Sequence, residues 1–258
     1  MAATSDEVLL NIDGLSKSFG GVAAVVDFRL ELRRDHVVGL IGPNGAGKTT
    51  IFNLISGITL ADRGKVLFLG RDITNQNSHV IAQLGIGRTF QNVRVFDGLS
   101  VGDNVKAACC HDASYSHLSA LLGLRSMHSC ERNLDTKVDM LLELVGIPHC
   151  RNERPRSLPY GLQRKVEIAR ALATNPRILM LDEPAAGLNP TEVVEMLGLI
   201  RTLHDTHGYS IFLIEHHMEV VMPVCDDVYV VNMGRTIAHG TPGEIQTNPE
   251  VLTAYLGE

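Results

Sequence analysis

The sequence lacks three features that would point to particular classes of protein. None of its five cysteines forms a CxxC pair, which argues against a disulfide framework or a zinc site and suits a reducing compartment. The net charge of −6 argues against a basic surface for nucleic acid or anionic lipid. No run approaches the roughly 20 apolar residues that span a bilayer, and MAATSDEVLL has no basic-then-apolar signal. We therefore expect a cytoplasmic protein with no nucleic-acid partner.

The pattern of apolar runs predicts an α/β fold. Runs typical of buried strands occur at 37–42, 177–184, 209–216 and 227–234. Helical segments between these runs predict a parallel sheet with right-handed crossovers. The N-terminal part alternates apolar and polar residues, which predicts an antiparallel, half-exposed sheet. Residues 92–157 have helical patterns and predict a helical subdomain inserted into a core made of 1–91 and 158–258.

The most specific motif is GPNGAGKTT, which lies between a predicted strand and a predicted helix. It fits G-x-x-x-x-G-K-[ST], in which glycines let successive backbone N–H groups point into one concavity. Lys48 supplies a charge for the β- and γ-phosphates, and Thr49 offers a hydroxyl to Mg²⁺. The motif predicts a nucleotide site made by Gly42, Pro43, Asn44, Gly45, Ala46, Gly47, Lys48, Thr49 and Thr50.

Acidic and imidazole side chains follow two further predicted strands. Asp182 and Glu183 end the apolar run RILMLDEP, at the sheet edge where ligands of parallel sheets bind. Asp182 is suited to hold Mg²⁺ through water, and Glu183 to polarise an attacking water. His216 ends the next strand and is expected at the same edge, whereas Glu215 and His217 alternate to the other face. Gln91, in RTFQN, can contact Mg²⁺ or the water from the start of the helical insert.

Together these motifs resemble the ATP-binding subunits of ABC transporters. GPNGAGKTT, Gln91, LPYGLQRKVEIARAL, RILMLDEP, AAGLNP and LIEHH occur in the order typical of that family, and the resemblance covers nearly the whole chain. It implies a P-loop NTPase (RecA-like) core with a parallel sheet, an N-terminal antiparallel β-subdomain and an inserted helical subdomain. It also implies ATPase activity that uses ATP and Mg²⁺. The metal-binding residues would be Thr49, Gln91 and Asp182.

The segment SLPYGLQRK resembles the family's LSGGQ signature, which binds ATP held by the opposite subunit of a dimer. Leu158 and Gly161 match that signature, while Pro159 and Tyr160 replace its serine and first glycine. The resemblance implies that Leu158, Tyr160 and Gly161 contact the partner's ATP. Pro159 brings neither a hydroxyl nor a backbone N–H. Because a charge-assisted hydrogen bond contributes about 1.5–3 kcal/mol, we expect a heterodimer whose second ATP-binding subunit carries a fuller signature.

Two other positions carry family roles or depart from them. Phe19 resembles the aromatic residue that stacks on adenine, although a core phenylalanine is the competing interpretation. Asn189 stands where the family usually has an acid, in a loop that crosses the dimer interface. The helical insert is the part that meets the membrane subunit in such transporters.

The finer resemblance is to importers of branched-chain amino acids, and within them to the longer of two ATP-binding subunits. RTFQNVRVF, LDEPAAGLNP, LIEHHMEVVM and AYLGE carry this resemblance, with His217 in place of the family's usual aspartate. It implies transmembrane permease subunits as partners, an extracytoplasmic solute-binding protein as an indirect partner, and a peripheral location on the inner face of the membrane. Importers of urea and short amides remain an alternative, and a soluble, non-transport ABC ATPase is a further one.

Overall fold

The computed structural model describes residues 7–91, 94–109 and 125–256, with the side chains of 125–130 and of residue 256 left out. These residues form two compact units. The first contains Met1–Arg88 and Arg177–Glu258, and the second is Thr89–Pro176. No helix among the described residues is both long and apolar enough to cross a membrane.

The first unit is built on a six-stranded, mostly parallel sheet. Its strands lie in the order β10-β9-β3-β8-β7-β6. They are β3 (Val37–Ile41), β6 (Ile86–Arg88), β7 (Ile178–Asp182), β8 (Ser210–Ile214), β9 (Asp227–Asn232) and β10 (Arg235–Gly240). All pairs are parallel except β9 with β10. Every residue of β3, β7 and β8 is buried, which explains why these strands read as unbroken apolar runs. The predicted parallel sheet is confirmed.

A four-stranded antiparallel sheet completes this unit, as the N-terminal alternation predicted. It contains β1 (Val8–Phe19), β2 (Val22–Arg33), β4 (Arg63–Phe68) and β5 (Arg71–Asp72), in the order β2-β1-β4-β5. One hydrophobic core joins it to the parallel sheet, with Phe28 from β2 and Phe212 from β8 both buried in it. Phe52, from the helix after β3, packs on Phe212 with ring centroids 4.8 Å apart.

The helices of the first unit connect these strands and close the chain. They are α1 (Lys48–Ile55), α2 (Ser78–Leu84), and, after the second unit, α6 (Pro190–Asp205), α7 (Met218–Val221), α8 (Pro242–Thr247) and α9 (Pro249–Leu256). The segment from β7 through α6 to β8 is therefore a parallel strand–helix–strand unit, as its sequence pattern predicts.

The second unit is helical in its described parts. It contains α3 (Val101–Cys109), α4 (Arg125–Leu144) and α5 (Tyr160–Leu172), with short 3-10 turns at Pro148–Cys150 and Pro155–Ser157. It spans more of the chain than the predicted insert, 92–157, because α5 packs against α3 and α4. Within the predicted insert, residues 92–93 and 110–124 lie outside the described residues.

Candidate nucleotide-binding site

The glycine-rich loop between β3 and α1 follows a curled backbone path that leaves no room for a side chain at two of its positions. A Cβ added at Gly42 would lie 2.0 Å from the Val231 carbonyl oxygen. At Gly47, which has φ 105°, it would lie 2.4 Å from the Ala24 carbonyl oxygen. Only glycine fits this backbone path, and Gly47 is also the residue that precedes α1. The loop therefore brings its backbone close to the helix N-terminus, where anions bind.

Lys48 places its positive charge within this loop. The side chain is buried, and Nζ donates to the carbonyl oxygens of Gly42 at 2.6 Å and Pro43 at 2.9 Å. Thr49 is exposed in the first turn of α1. An ammonium and a hydroxyl at a helix N-terminus are the groups that a phosphate and its metal ion require.

Asp182 is buried at the end of β7 and is held by Arg88, a residue whose role no sequence motif predicted. Arg88, at the end of β6, donates from Nη2 to Asp182 Oδ2 at 2.8 Å. Its Nη1 donates to Asn53 Oδ1 at 2.9 Å and Ser56 Oγ at 2.7 Å, both on the α1 side. Arg88 thus ties the acidic strand end to the helix that follows the phosphate loop.

Glu183 leaves β7 in a left-handed backbone conformation, with φ 48°. That conformation costs a non-glycine residue about 1–2 kcal/mol, so the surrounding structure must hold it. The Glu183 N–H donates to the Ile214 carbonyl at 3.0 Å, which ties the turn to β8.

His216 lies beside Glu183, as the adjacency of β7 and β8 predicts. His216 Nδ1 is 3.8 Å from Glu183 Oε1 and 3.8 Å from Glu215 Oε2. Burial lowers the pKa of His216, and the neighbouring His217 and Lys48 lower it further, whereas Glu183 raises it. The neutral imidazole is therefore favoured near pH 7.

Glu215 was expected on the other face of the strand, away from the ligand. Its side chain is fully buried and accepts a hydrogen bond from the Ala185 N–H, just after Glu183. Strand alternation gave no signal for this contact with the neighbouring strand end.

Phe19 ends β1 and is 50% exposed, which disfavours the alternative of a core phenylalanine. Lys17 Nζ lies 5.4 Å from the centre of its ring. Stacking on adenine stays a prediction for this residue.

The second unit contains Gln91 and the signature segment. Arg164, buried in α5, donates to the backbone carbonyls of Phe90 at 2.9 Å and Gln91 at 2.6 Å. Arg164 also lies 5.1 Å from the centre of the Tyr160 ring. One guanidinium therefore links the Gln91 segment to the start of α5.

The signature segment begins a helix. Pro159 is the N-cap of α5, and its carbonyl accepts from the N–H groups of Leu162 and Gln163. Leu158 accepts from Gln163 Nε2 through its carbonyl, while Tyr160 and Gly161 form the first turn. The contacts of these residues and of Gln91 with nucleotide stay predictions.

Asn189 has a structural role at the start of a helix. Its Oδ1 accepts from the Glu192 N–H at 3.0 Å, and Glu192 Oε2 accepts from the Asn189 N–H at 3.0 Å. This reciprocal pair is a capping box at the start of α6.

The chemistry of the available donors fits Mg²⁺. Thr49 and Asp182 offer oxygen atoms, which Mg²⁺ prefers, and such sites use one or two protein ligands completed by phosphates and water. Among the described residues, no group of three or more His, Cys, Asp or Glu side chains is placed to hold a metal ion. The described donors therefore suit a metal bound together with a nucleotide.

A phosphate loop after one parallel strand and an acidic pair after another define the class of P-loop NTPases. The comparisons narrow that class. The family described as ABC transporter matches residues 25–186, and the family described as Branched-chain amino acid ATP-binding cassette transporter matches residues 235–258. The chain belongs to the ATP-binding family of ABC transporters and is an ABC-type ATPase. The resemblance inferred from the motifs is confirmed.

Two similar relatives and one solved structure agree with this assignment. The chain is 43% identical to the high-affinity branched-chain amino acid transport ATP-binding protein LivG of Escherichia coli K12, over 97% of the chain and 98% of the relative. It is 41% identical to BraF of Pseudomonas aeruginosa, which has the same description, with the same coverage. The crystal structure of a nucleotide-free ATP-binding cassette from an ABC transporter aligns with TM-score 0.83 and 29% identity, covering 97% of the chain and 100% of that structure. Members of the family bind nucleotide.

Proposed function

We propose that this chain is the ATP-binding and ATP-hydrolysing subunit of an importer for branched-chain amino acids. The main support for this proposal is that one compact unit contains the phosphate loop, Asp182, Glu183 and His216. The names of LivG and BraF and the match at residues 235–258 support the solute class.

The proposed chemistry assigns one task to each side chain. Lys48 binds the β- and γ-phosphates, and the amides at the start of α1 hold the phosphate oxygens. Glu183 accepts a proton from the attacking water, a general-base role that contributes roughly 10²–10⁴ in rate. His216, neutral because its pKa is lowered, donates a hydrogen bond from its ring to the γ-phosphate.

Mg²⁺ belongs to this proposal together with ATP. Thr49 and Asp182 would hold it, with Gln91 as a further ligand, and it supplies neutralisation of phosphate charge when bound. Arg88 keeps Asp182 in place through the buried ion pair.

A second ATP-binding subunit completes the proposed assembly. Pro159 lies at the N-cap of α5 and cannot donate from its backbone, so the signature of this chain offers fewer donors to a partner's ATP. A heterodimer would pair the full set of hydrolytic side chains here with a better signature on the partner. ATP hydrolysis by the purified chain alone, cooperative and at the full rate of the transporter, would contradict the heterodimer.

The remaining proposed partners are those of an importer. Permease subunits would hold the chain at the inner face of the membrane, and a solute-binding protein would deliver the amino acid from outside. The helical insert, 92–157, is proposed as the part that meets the permease.

Solute uptake tests the proposed function. In a strain lacking this gene, uptake of labelled leucine, isoleucine and valine should fall and should return with the wild-type gene. The Glu183→Gln gene should fail to restore it, because transport needs hydrolysis. Labelled urea is the comparison solute. If urea uptake falls instead and the amino acids enter normally, the importer is one for urea or short amides. If no solute is affected, the transport assignment is wrong.

A further inference from the structure

A carboxylate with no role in the proposed chemistry contacts His216 and the turn after Glu183. Glu215 follows β8, and its side chain is completely buried. Burying a carboxylate costs several kcal/mol unless hydrogen bonds compensate for the lost water. A group of this kind must therefore be held by specific donors.

Two of these donors belong to the residues that flank the proposed reaction. Oε1 of Glu215 accepts from the Ala185 N–H at 3.0 Å, and Oε2 accepts from the His216 N–H at 3.3 Å. Oε2 also lies 3.8 Å from His216 Nδ1, the same distance that separates Nδ1 from Glu183 Oε1. One carboxylate therefore contacts both the turn after Glu183 and the histidine.

The turn that Glu215 holds is one that needs support. Glu183 has a left-handed backbone, and Ala185 is two residues further along the chain. The Glu183 N–H is fixed by the Ile214 carbonyl at one end of the turn, and the Ala185 N–H is fixed by Glu215 at the other. Loss of the second bond would loosen the segment that sets the direction of the Glu183 side chain, although the Ala186 N–H still donates to the Glu183 carbonyl at 3.1 Å.

We propose that Glu215 is a positioning residue that fixes the Glu183 turn and the His216 ring relative to each other for attack on the γ-phosphate. This proposal rests on the proposed ATPase site, and it gives Glu215 no direct contact with the nucleotide. Glu215 acts on the rate of hydrolysis through Glu183 and His216, and it leaves the phosphate loop, which binds ATP, unchanged.

The test uses Glu215→Gln in the full chain, within the assembled transporter. Glutamine keeps the length of the side chain and one carbonyl oxygen, which can accept from the Ala185 N–H. Its amide group then faces the His216 N–H, so one of the two hydrogen bonds is lost. Glu219→Gln is the matched control, because Glu219 is an exposed acid four residues further along the chain.

Four quantities are measured for each protein: kcat, KM and Kd for ATP, and the melting temperature. We expect Glu215→Gln to lower kcat about 10- to 100-fold, the loss that a small misplacement of reacting groups produces. KM and Kd should stay within about threefold of wild type, since ground-state binding is untouched. Glu219→Gln should match wild type throughout.

A double variant separates positioning from general destabilisation. With His216→Ala already present, adding Glu215→Gln should slow single-turnover hydrolysis little further, because the ring that the lost hydrogen bond positions is already absent. A fully multiplicative second loss would overturn the proposal. So would an unchanged kcat in Glu215→Gln with only a lower melting temperature, or a parallel loss of ATP affinity.

The wild-type protein distinguishes this inference from the function on which it rests. If wild type hydrolyses ATP and Glu215→Gln does so equally well, only the positioning role fails. If wild type neither binds nor hydrolyses ATP, the proposed ATPase site fails and the positioning role fails with it. Should Glu215→Gln not fold, Glu215→Asp takes its place, since it keeps the charge but shortens the reach to the Ala185 N–H.

Discussion

Replacement of Arg88 by methionine should destabilise the protein strongly. Arg88 and Asp182 form an ion pair at 2.8 Å with side-chain exposures of 7% and 2%. Removing one partner of a buried pair leaves an uncompensated charge and costs about 3–5 kcal/mol. Because each kcal/mol shifts the melting temperature of a chain of this size by about 2–4 °C, the melting temperature should fall by roughly 6–20 °C.

The assay is thermal and urea unfolding followed by circular dichroism. Arg29→Met is the matched control, since Arg29 pairs with Asp13 and Asp27 where the side chains are more than half exposed. An exposed pair contributes about 0–1 kcal/mol, so this variant should unfold close to wild type.

A double variant tests whether the lost stability comes from the buried charge of Asp182. Replacing both partners, as in Arg88→Met with Asp182→Leu, also removes the buried carboxylate that has lost its guanidinium partner, and should recover part of the lost stability. An unfolding free energy of Arg88→Met within about 1 kcal/mol of wild type would refute this explanation, and so would a double variant that is no more stable than Arg88→Met.

Three further predictions concern single side chains. Phe19→Ala should weaken ATP and GTP binding alike, by about 1–3 kcal/mol in a fluorescence titration, with little loss of stability because Phe19 is half exposed; unchanged affinities would refute stacking. Hydrolysis should stay level as the pH falls from 8 to about 6.5, because burial lowers the pKa of His216 and keeps its ring in one protonation state, the neutral donor, over that range; a change in rate that begins above pH 7 in a pH–rate profile contradicts this. Asn189→Ala should lower the free energy of unfolding by about 1 kcal/mol, measured in urea, because the cap of α6 is lost. Asn189→Asp should keep most of that stability, so equal losses in the two variants would refute capping.

Local motifs made most of the fold and the phosphate loop predictable. GPNGAGKTT is contiguous, and its glycines, lysine and helix start are specified by neighbours in the chain. The buried strands were visible because strands covered on both faces are apolar at every position. The placement of His216 beside Glu183 followed from strand adjacency alone.

Contacts between distant segments were not predictable in the same way. Arg88 and Asp182 are 94 residues apart, and Glu215 and Ala185 are 30 apart. A charged residue at a strand end reads as exposed until its partner on the next strand is known. The extent of the second unit was unpredictable for the same reason. The apolar face of α5 predicts that the helix is partly buried, but it does not indicate which helices cover that face.

The most direct measurement is ATP binding and single-turnover hydrolysis by Lys48→Ala and Glu183→Gln, with Mg²⁺ present. If the phosphate loop and the acidic strand end serve one triphosphate, Lys48→Ala should lose ATP affinity. Glu183→Gln should bind ATP as wild type does and hydrolyse it at least about 100-fold more slowly. Hydrolysis by Glu183→Gln at the wild-type rate, or full ATP affinity in Lys48→Ala, would contradict the site.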